Sequence, residues 1–203
     1  MQERRNRNHP HKRNRDHRPN KIVAPKKPRI ALIGFRGVGK SAIARRLQEW
    51  WKIPFISLDH KIEVTENKRI DEIVAEQGWP YFREREYEAL KACSTEPQLL
   101  LDCGGGIVEE ADGSRSERKI ALLKENFFCI YIYLSEEKMR QRLNASNKTA
   151  SRPALPNVSD SIDELIKVFK RRESSYLDLA HTMVDISDTN VEESAFRITQ
   201  LLR

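Results

Sequence analysis

An eight-residue segment near the start of the chain has the composition of a phosphate-binding loop. Residues 34–41 read GFRGVGKS, which fits the pattern GxxxxGK[ST]. The glycines allow backbone N–H groups to turn inward around an anionic phosphate, and Lys40 adds a positive charge. A helix that begins near Lys40 would point the positive end of its dipole at the same place, and Ser41 is placed to ligate Mg²⁺. The segment predicts nucleotide-binding residues Gly34, Gly37, Val38, Gly39, Lys40, Ser41 and Ala42.

Three further segments could bind a second substrate in addition to the nucleotide. Asp59 follows the second apolar run, residues 82–86 (FRERE) lie in a helical pattern, and the triplet 104–106 (GGG) follows the third apolar run. Ligands of parallel α/β sheets gather at the carboxyl ends of the strands, so Gly34, Asp59 and Gly104 are expected to converge there. A carboxylate, a guanidinium and bare backbone N–H groups at one edge suit a small polyhydroxylated carboxylic acid.

The alternation of short apolar runs with amphipathic segments predicts a single α/β domain from residue 29 to 203. The predicted strands are 30–33, 55–58, 99–102, 128–134 and 182–186. The predicted helices are 40–51, 70–76, 81–93, 116–124, 136–144, 162–179 and 192–202. This order favours a five-stranded parallel sheet covered by helices in a three-layer α/β/α arrangement, and the polar stretch 145–159 is expected to be a mobile functional element.

The chain has 203 residues, and its net charge of +7 is confined to the N-terminus. Residues 1–29 hold 11 of the 37 Lys and Arg and 2 of the 30 acidic residues, which leaves 26 basic and 28 acidic residues for the remainder. Residues 1–28 contain few apolar side chains to bury, so we expect a disordered basic tail. Weak, salt-dependent binding to nucleic acid or an acidic surface is the alternative use of this tail.

The apolar runs and the cysteines indicate where in the cell the protein is located. The longest near-continuous apolar stretch, 127–134, is far short of the roughly 20 residues needed to cross a bilayer, so an integral membrane protein is excluded. The three cysteines are odd in number and lack CxxC spacing, which excludes a disulfide framework and a zinc site. We expect reduced thiols and a cytoplasmic, monomeric protein.

Several motifs and their order along the chain resemble those of the shikimate kinase family. Its members are small P-loop kinases of the nucleoside monophosphate kinase type. The matching features are the phosphate loop, the FRxxE segment (Phe82, Arg83, Glu86), the GGG turn, the pair Arg152-Pro153, and Arg172 with Tyr176. The resemblance runs from about residue 30 to the C-terminus. It implies a P-loop kinase fold with a mobile lid and Mg²⁺-dependent transfer of phosphate from ATP to the 3-hydroxyl of shikimate, in aromatic amino acid biosynthesis.

The resemblance also implies roles for individual residues. Asp59 would bind the substrate hydroxyls and act as the base, while Arg83 and Arg172 would clamp the carboxylate. Gly105 would donate its backbone N–H to the substrate, and Arg152, in the lid at 145–159, would reach the transferred phosphates. The implied catalytic residues are Asp59, Lys40 and Arg152.

Other interpretations of these residues remain open at this level. Arg83 and Arg172 are also compatible with surface helix positions paired with Glu86 and Glu173, and Asp59 with the N-cap of the following helix. Two other functions also fit the loop: a related kinase for another small hydroxy acid such as gluconate, and a non-catalytic nucleotide-binding regulatory protein.

The sequence departs from the family at one acidic position. Shikimate kinases usually carry Asp-x-Asp after the second strand, and this chain has Ser57-Leu58-Asp59. The strand before the GGG turn ends in Asp102, where the family commonly has a small hydroxyl residue. We therefore predict that Ser41 and Asp102 ligate Mg²⁺, with Ser57 in the vacated hydroxyl position; the alternative is an Asp102 held by N–H groups of the glycine turn. Two smaller departures are the pair Trp79-Pro80 and a lid about three residues longer than is usual in the family. The longer lid leaves open the role of Arg142 as a contact on the adenine side of the nucleotide.

Overall fold

The computed structural model describes residues 29–146 and 161–202. The predicted tail and all but the first two residues of the predicted lid lie outside the described residues. The described strands are β1 (Arg29–Ile33), β2 (Phe55–Ser57), β3 (Leu99–Asp102), β4 (Phe128–Tyr133) and β5 (Thr182–Asp185). The described helices are α1 (Lys40–Trp51), α2 (Leu58–Glu66), α3 (Ile70–Cys93), α4 (Glu117–Asn126), α5 (Glu136–Ser146), α6 (Ile162–Leu179) and α7 (Val191–Leu201).

The strands form one parallel sheet in the order β2-β3-β1-β4-β5. The three inner strands are almost wholly buried, which agrees with their continuous apolar sequences and with helices on both faces. Helices α1 and α7 pack together, and α4 packs against α3 and α6. The predicted three-layer α/β/α fold with a five-stranded parallel sheet is confirmed. No helix in 29–146 or 161–202 is long and apolar enough to cross a membrane.

Helix α2 was not predicted and directly follows the edge strand β2. The predicted strand 55–58 was one residue too long, because Leu58 opens the helix. The side chain of Ser57 caps it by accepting a long hydrogen bond, 3.5 Å, from the backbone N–H of His60. Asp59 therefore lies in the first turn of α2 and is not its N-cap, so that alternative was wrong. A carboxylate in a first turn is stabilised by the helix dipole.

Helix α3 joins the two predicted helices 70–76 and 81–93. Gly78 interrupts it with φ 79° and ψ 171°, a backbone conformation that favours glycine. Pro80 lies in the first turn after this break, where a proline costs no helical hydrogen bond. The break redirects the second half of α3, which carries the FRxxE segment.

A small second core ties α2 to α3. Ile62, Ile73 and Phe82 are buried together, apart from the main cluster around the sheet. The two helices are in extensive contact with each other. Because α2 carries Asp59 and α3 carries Arg83, this cluster fixes the two side chains relative to one another.

Candidate active site

A cavity of about 230 Å³ lies at the carboxyl ends of β1, β2 and β3. The predicted convergence of the phosphate loop, Asp59 and the glycine turn is found in its walls. Its lining residues are Arg36, Gly37, Gly39, Lys40, Ser41, Ala42, Ser57, Asp59, Asp102, Cys103, Gly104 and Gly105. Arg152, predicted to reach into this site from the lid, lies outside the described residues.

The phosphate loop connects the central strand β1 to α1. Gly37 and Gly39 have φ values of 83° and 100°, in the left-handed region that lets successive N–H groups face a common centre. Lys40 is buried, and its Nζ donates hydrogen bonds to the carbonyls of Gly34 and Phe35 at 2.9 Å each. These bonds hold the ammonium group against the loop, beside the first turn of α1. The segment is thus shaped as an anion site.

A side chain from α5 also holds the phosphate loop. Arg142, on α5, donates through Nη1 to the carbonyl of Val38 at 2.5 Å. Burial lowers the pKa of this arginine. Arg142 therefore lies at the rim of the loop, three positions in the sequence before the predicted lid begins.

The glycine turn brings three parts of the chain closer than side chains would allow. A Cβ on Gly104 would lie 2.5 Å from Asp59 Oδ1, and a Cβ on Gly105 would lie 2.5 Å from the backbone N of Arg36. A Cβ on Gly106 would lie within 2.3 Å of Arg83 Nη2. The triplet therefore makes room for Asp59, the backbone of Arg36 and the guanidinium of Arg83.

Arg83 is buried behind the glycine turn, against Gly106. Its Nη1 is 2.8 Å from Glu86 Oε2, and its guanidinium carbon lies 5.2 Å from the ring centroid of Trp79 and 5.5 Å from that of Phe82. Only 3% of the residue is exposed, so its pairing with Glu86 is a buried ion pair and not a surface one. The Trp79 departure from the family thus provides a face on which Arg83 rests.

Arg172 approaches the same turn from α6. Its Nη1 donates to the carbonyl of Gly105 at 3.0 Å, and the hydroxyl of Tyr176 donates to the same carbonyl. Its Nη2 is 2.6 Å from Glu109 Oε2. The open alternative of a surface pair with Glu173 was wrong, because only 2% of Arg172 is exposed and its acidic partner is Glu109.

Both arginines keep an unsatisfied donor. Arg83 Nε and Arg172 Nε are buried and have no hydrogen-bond partner, and Glu86 Oε1 is also without one. Unpaired buried polar groups are rare in native proteins and require an explanation. A bound carboxylate would supply acceptors for two guanidinium donors, so the two arginines packed against the glycine turn have the chemistry of a carboxylate clamp.

Asp102 ends β3 and is the register partner of Ser57 at the end of β2. Its Oδ2 accepts a hydrogen bond of 2.5 Å from Ser41 Oγ, and its Oδ1 is buried without a partner. Ser41, and not the glycine turn, therefore holds this carboxylate. This chain thus lacks the carboxylate usual in the family at position 57, but it has one on Asp102, at the paired position of the neighbouring strand.

This pair of oxygen ligands fits a magnesium ion. Mg²⁺ is usually held by one or two protein oxygens together with waters and substrate phosphates. The unsatisfied Oδ1 of Asp102 and the neighbouring hydroxyl of Ser41 are donors of that kind, next to the phosphate loop. The described residues contain no group of three or more His, Cys, Asp or Glu that could hold a metal.

Glu109 and Lys119 were missed by sequence reasoning. Both are buried, and Lys119 Nζ donates to Glu86 Oε2 at 2.7 Å and to the carbonyl of Glu109 at 2.6 Å. Burial lowers the pKa of Lys119, whereas the charges of Arg83 and Lys119 outweigh burial and lower the pKa of Glu86. Lys119 lies four residues before Leu123, on the buried face of α4. This helical spacing was the one signal in the sequence that Lys119 is buried.

The three cysteines are free and buried, in agreement with the prediction of reduced thiols. Cys103 lines the cavity, but burial raises the pKa of its thiol well above the ordinary value. A thiol in that state is a poor nucleophile. The chemistry of the cavity is therefore carried by its carboxylates and cations.

The strands of the parallel sheet have the order of a P-loop kinase. A phosphate loop follows the central strand, and side chains able to bind ligands lie at the ends of the adjoining strands, so the fold and the site together define a P-loop kinase. The sequence model described as "Shikimate kinase" matches residues 36–203. A shikimate kinase of Dictyoglomus turgidum is 31% identical over 175 residues, which cover 86% of this chain and 96% of that protein. One of Dehalococcoides mccartyi is 34% identical over 177 residues, with 87% and 94% covered.

A solved structure, "Shikimate kinase from Acinetobacter baumannii in complex with shikimate", has a TM-score of 0.76 and 28% identity, covering 87% of this chain and 93% of that chain. The chain belongs to the shikimate kinase family. The resemblance found in its motifs is thereby confirmed.

Proposed function

We propose that the protein transfers the γ-phosphoryl group of ATP to the 3-hydroxyl of shikimate, giving ADP and shikimate 3-phosphate. The observation that carries this is the pair of buried arginines whose Nε groups lack partners, packed against the glycine turn that lines one cavity together with Asp59 and the phosphate loop. A hydroxy acid would satisfy the arginines through its carboxylate and present a hydroxyl to Asp59. Family membership, and a relative solved with shikimate, support shikimate as that acid.

The acceptor side of the reaction would depend on orientation. Arg83 and Arg172 would bind the carboxylate, and the N–H of Gly105 would hold the ring against the glycine turn. Asp59 would orient the acceptor hydroxyl and take its proton during transfer. Because positioning supplies most of the catalysis in phosphoryl transfer, a clamp at one end of the acid and a base at the other suffice on this side.

The donor side would be held by the phosphate loop. Its N–H groups and Lys40 would bind the β- and γ-phosphates of ATP, and Arg152 from the lid would add positive charge as the γ-phosphoryl group moves. Ser41 and Asp102 would hold Mg²⁺, which, when bound, neutralises charge on these phosphates. Closure of the lid would exclude water, so that ATP is not hydrolysed instead.

The proposal is tested by ADP release from ATP and Mg²⁺ with shikimate, with gluconate and with no acceptor. We expect release that depends on shikimate and a product whose phosphate is on the 3-hydroxyl, identified by NMR. Release that depends on gluconate would assign another hydroxy acid. A protein that binds ATP but releases ADP with neither acid would contradict the kinase proposal and favour a regulatory role.

Replacement of Arg83 by Ala is expected to weaken shikimate binding by about 10- to 100-fold, because a charge-assisted hydrogen bond contributes about 1.5–3 kcal/mol. The affinity for ADP is expected to change by less than about twofold, since Arg83 faces the acid and not the phosphate loop. Calorimetric titration with each ligand measures both affinities.

Arg85→Ala is the matched control for this experiment. Arg85 lies on the same helix, is half-buried and pairs with Glu88. Its loss should leave shikimate affinity close to that of the unmodified protein. Equal losses of shikimate and ADP affinity in Arg83→Ala would contradict the assignment of Arg83 to the acid.

We also propose that the protein works in the cytoplasm. The support is chemical: Cys93, Cys103 and Cys129 are all free thiols, the state that a reducing compartment maintains.

A further inference from the structure

The two arginines of the carboxylate clamp are each already paired with an internal carboxylate. Glu86 lies 2.8 Å from Arg83 and Glu109 lies 2.6 Å from Arg172, and all four residues are buried. Each pair is electrically neutral. With these four groups alone, a bound acid would bring its negative charge into an enclosed cluster with no net charge, which is costly.

Lys119 supplies a fifth buried charge that joins the two pairs. It is wholly buried, and its ammonium group contacts the Glu86 carboxylate at 2.7 Å and the Glu109 carbonyl at 2.6 Å. The five buried groups therefore carry a net charge of +1. Arg171 also contacts Glu109, at 3.0 Å, but about half of its side chain is exposed, so water screens its charge.

We propose that Lys119 is a positioning residue for the acceptor: it offsets the internal carboxylates, so that Arg83 and Arg172 retain the net positive charge that binds the acid. Lys119 does not touch the acceptor and acts through Glu86. This inference rests on the proposed function, because it assumes that the two arginines receive the carboxylate of the acceptor.

The cost of burial supports a role for Lys119 beyond packing. Taking an ammonium group out of water is costly, and an apolar side chain in its place would often be neutral or stabilising if the partners were also replaced. Burial disfavours the charged form of Lys119, as the lowered pKa records, while Glu86 favours it. The side chain is long enough to reach both acidic residues from α4, and a shorter polar residue would not join the two pairs.

The test is the steady-state kinetics of Lys119→Met. Met has a similar length and no charge, so the buried cluster of four groups becomes neutral. We expect the KM for shikimate to rise by about tenfold or more, while the KM for ATP and the kcat at saturating shikimate stay within about threefold. Lys124→Met is the matched control, because Lys124 lies on the same helix, is partly exposed and pairs with Asp178; it should leave the KM for shikimate unchanged.

A second variant separates charge from packing. Glu109→Gln combined with Lys119→Met leaves Arg83, Glu86 and Arg172 as the buried charges, which restores the net charge of +1. The double variant is expected to bind shikimate better than Lys119→Met, although it has lost one more buried interaction. A purely structural role predicts no such gain, because the double variant loses a further buried interaction and nothing replaces it.

Each outcome decides between these accounts. An unchanged KM for shikimate in Lys119→Met, or a double variant no better than the single one, would overturn the proposal. If Lys119→Met does not fold, Lys119→Gln, which keeps a donor for the Glu109 carbonyl, is measured in the same way. An unmodified protein without ADP release that depends on shikimate would instead refute the proposed function.

Discussion

Asp59→Asn is expected to lower kcat for shikimate phosphorylation by about 10³-fold, within the range of about 10² to 10⁴ typical of a lost general base. The amide keeps the size of the side chain, and so its fit over Gly104, but it cannot take a proton from the acceptor hydroxyl. The KM for ATP should change little, because the phosphate loop is built by other residues. Steady-state rates of ADP release at saturating ATP and shikimate measure the effect.

Asp71→Asn provides a matched control for this substitution. Asp71 lies in the first turn of α3, as Asp59 lies in the first turn of α2, but it pairs with Arg69 at the surface. Its replacement should leave kcat unchanged. An Asp59→Asn variant that retained more than about a tenth of kcat would show that proton transfer needs no base here or has another one.

The elements that carry the site could be predicted because their signals are local. A glycine-rich loop followed by Lys-Ser has one common structural context. A run of three leucines followed by Asp102, Cys103 and three glycines has the length of a strand and then the composition of a turn. The start of α2 had no such signal. It depends on Ser57 as a cap immediately after a three-residue strand, so the strand and helix patterns overlap at Leu58.

The partners within the site could not be predicted because they are distant in the chain. Arg172 pairs with Glu109, which lies 63 positions earlier, and Lys119 reaches Glu86 across 33 positions. Only the packing of α4 and α6 against the rest of the fold brings these groups together. From the sequence alone, the adjacent acidic residue Glu173 was the natural choice as the partner of Arg172, and that choice was wrong.

The hypothesis that Asp102 replaces the carboxylate missing at Ser57 leads to a second strong prediction. Ser57 and Asp102 are register partners on adjacent parallel strands, which lie about 4.8 Å apart. A magnesium ion that keeps several waters tolerates a ligand displaced by such a distance. Asp102→Asn is therefore expected to raise the Mg²⁺ concentration for half-maximal activity by about tenfold or more and to lower kcat by about 10²-fold, since charge neutralisation at the phosphates is weakened.

The double variant Ser57→Asp with Asp102→Ser tests this hypothesis directly. It rebuilds the Asp-x-Asp arrangement usual in the family and is expected to recover most of the Mg²⁺ affinity lost in Asp102→Ser alone. The rise of Tm caused by ADP, measured with and without Mg²⁺, gives a readout independent of turnover, because a ligand bound only to the folded state stabilises it. If this Mg²⁺-dependent rise were the same in Asp102→Asn as in the unmodified protein, Asp102 would serve only to orient Ser41, and the missing carboxylate would have no replacement on β3.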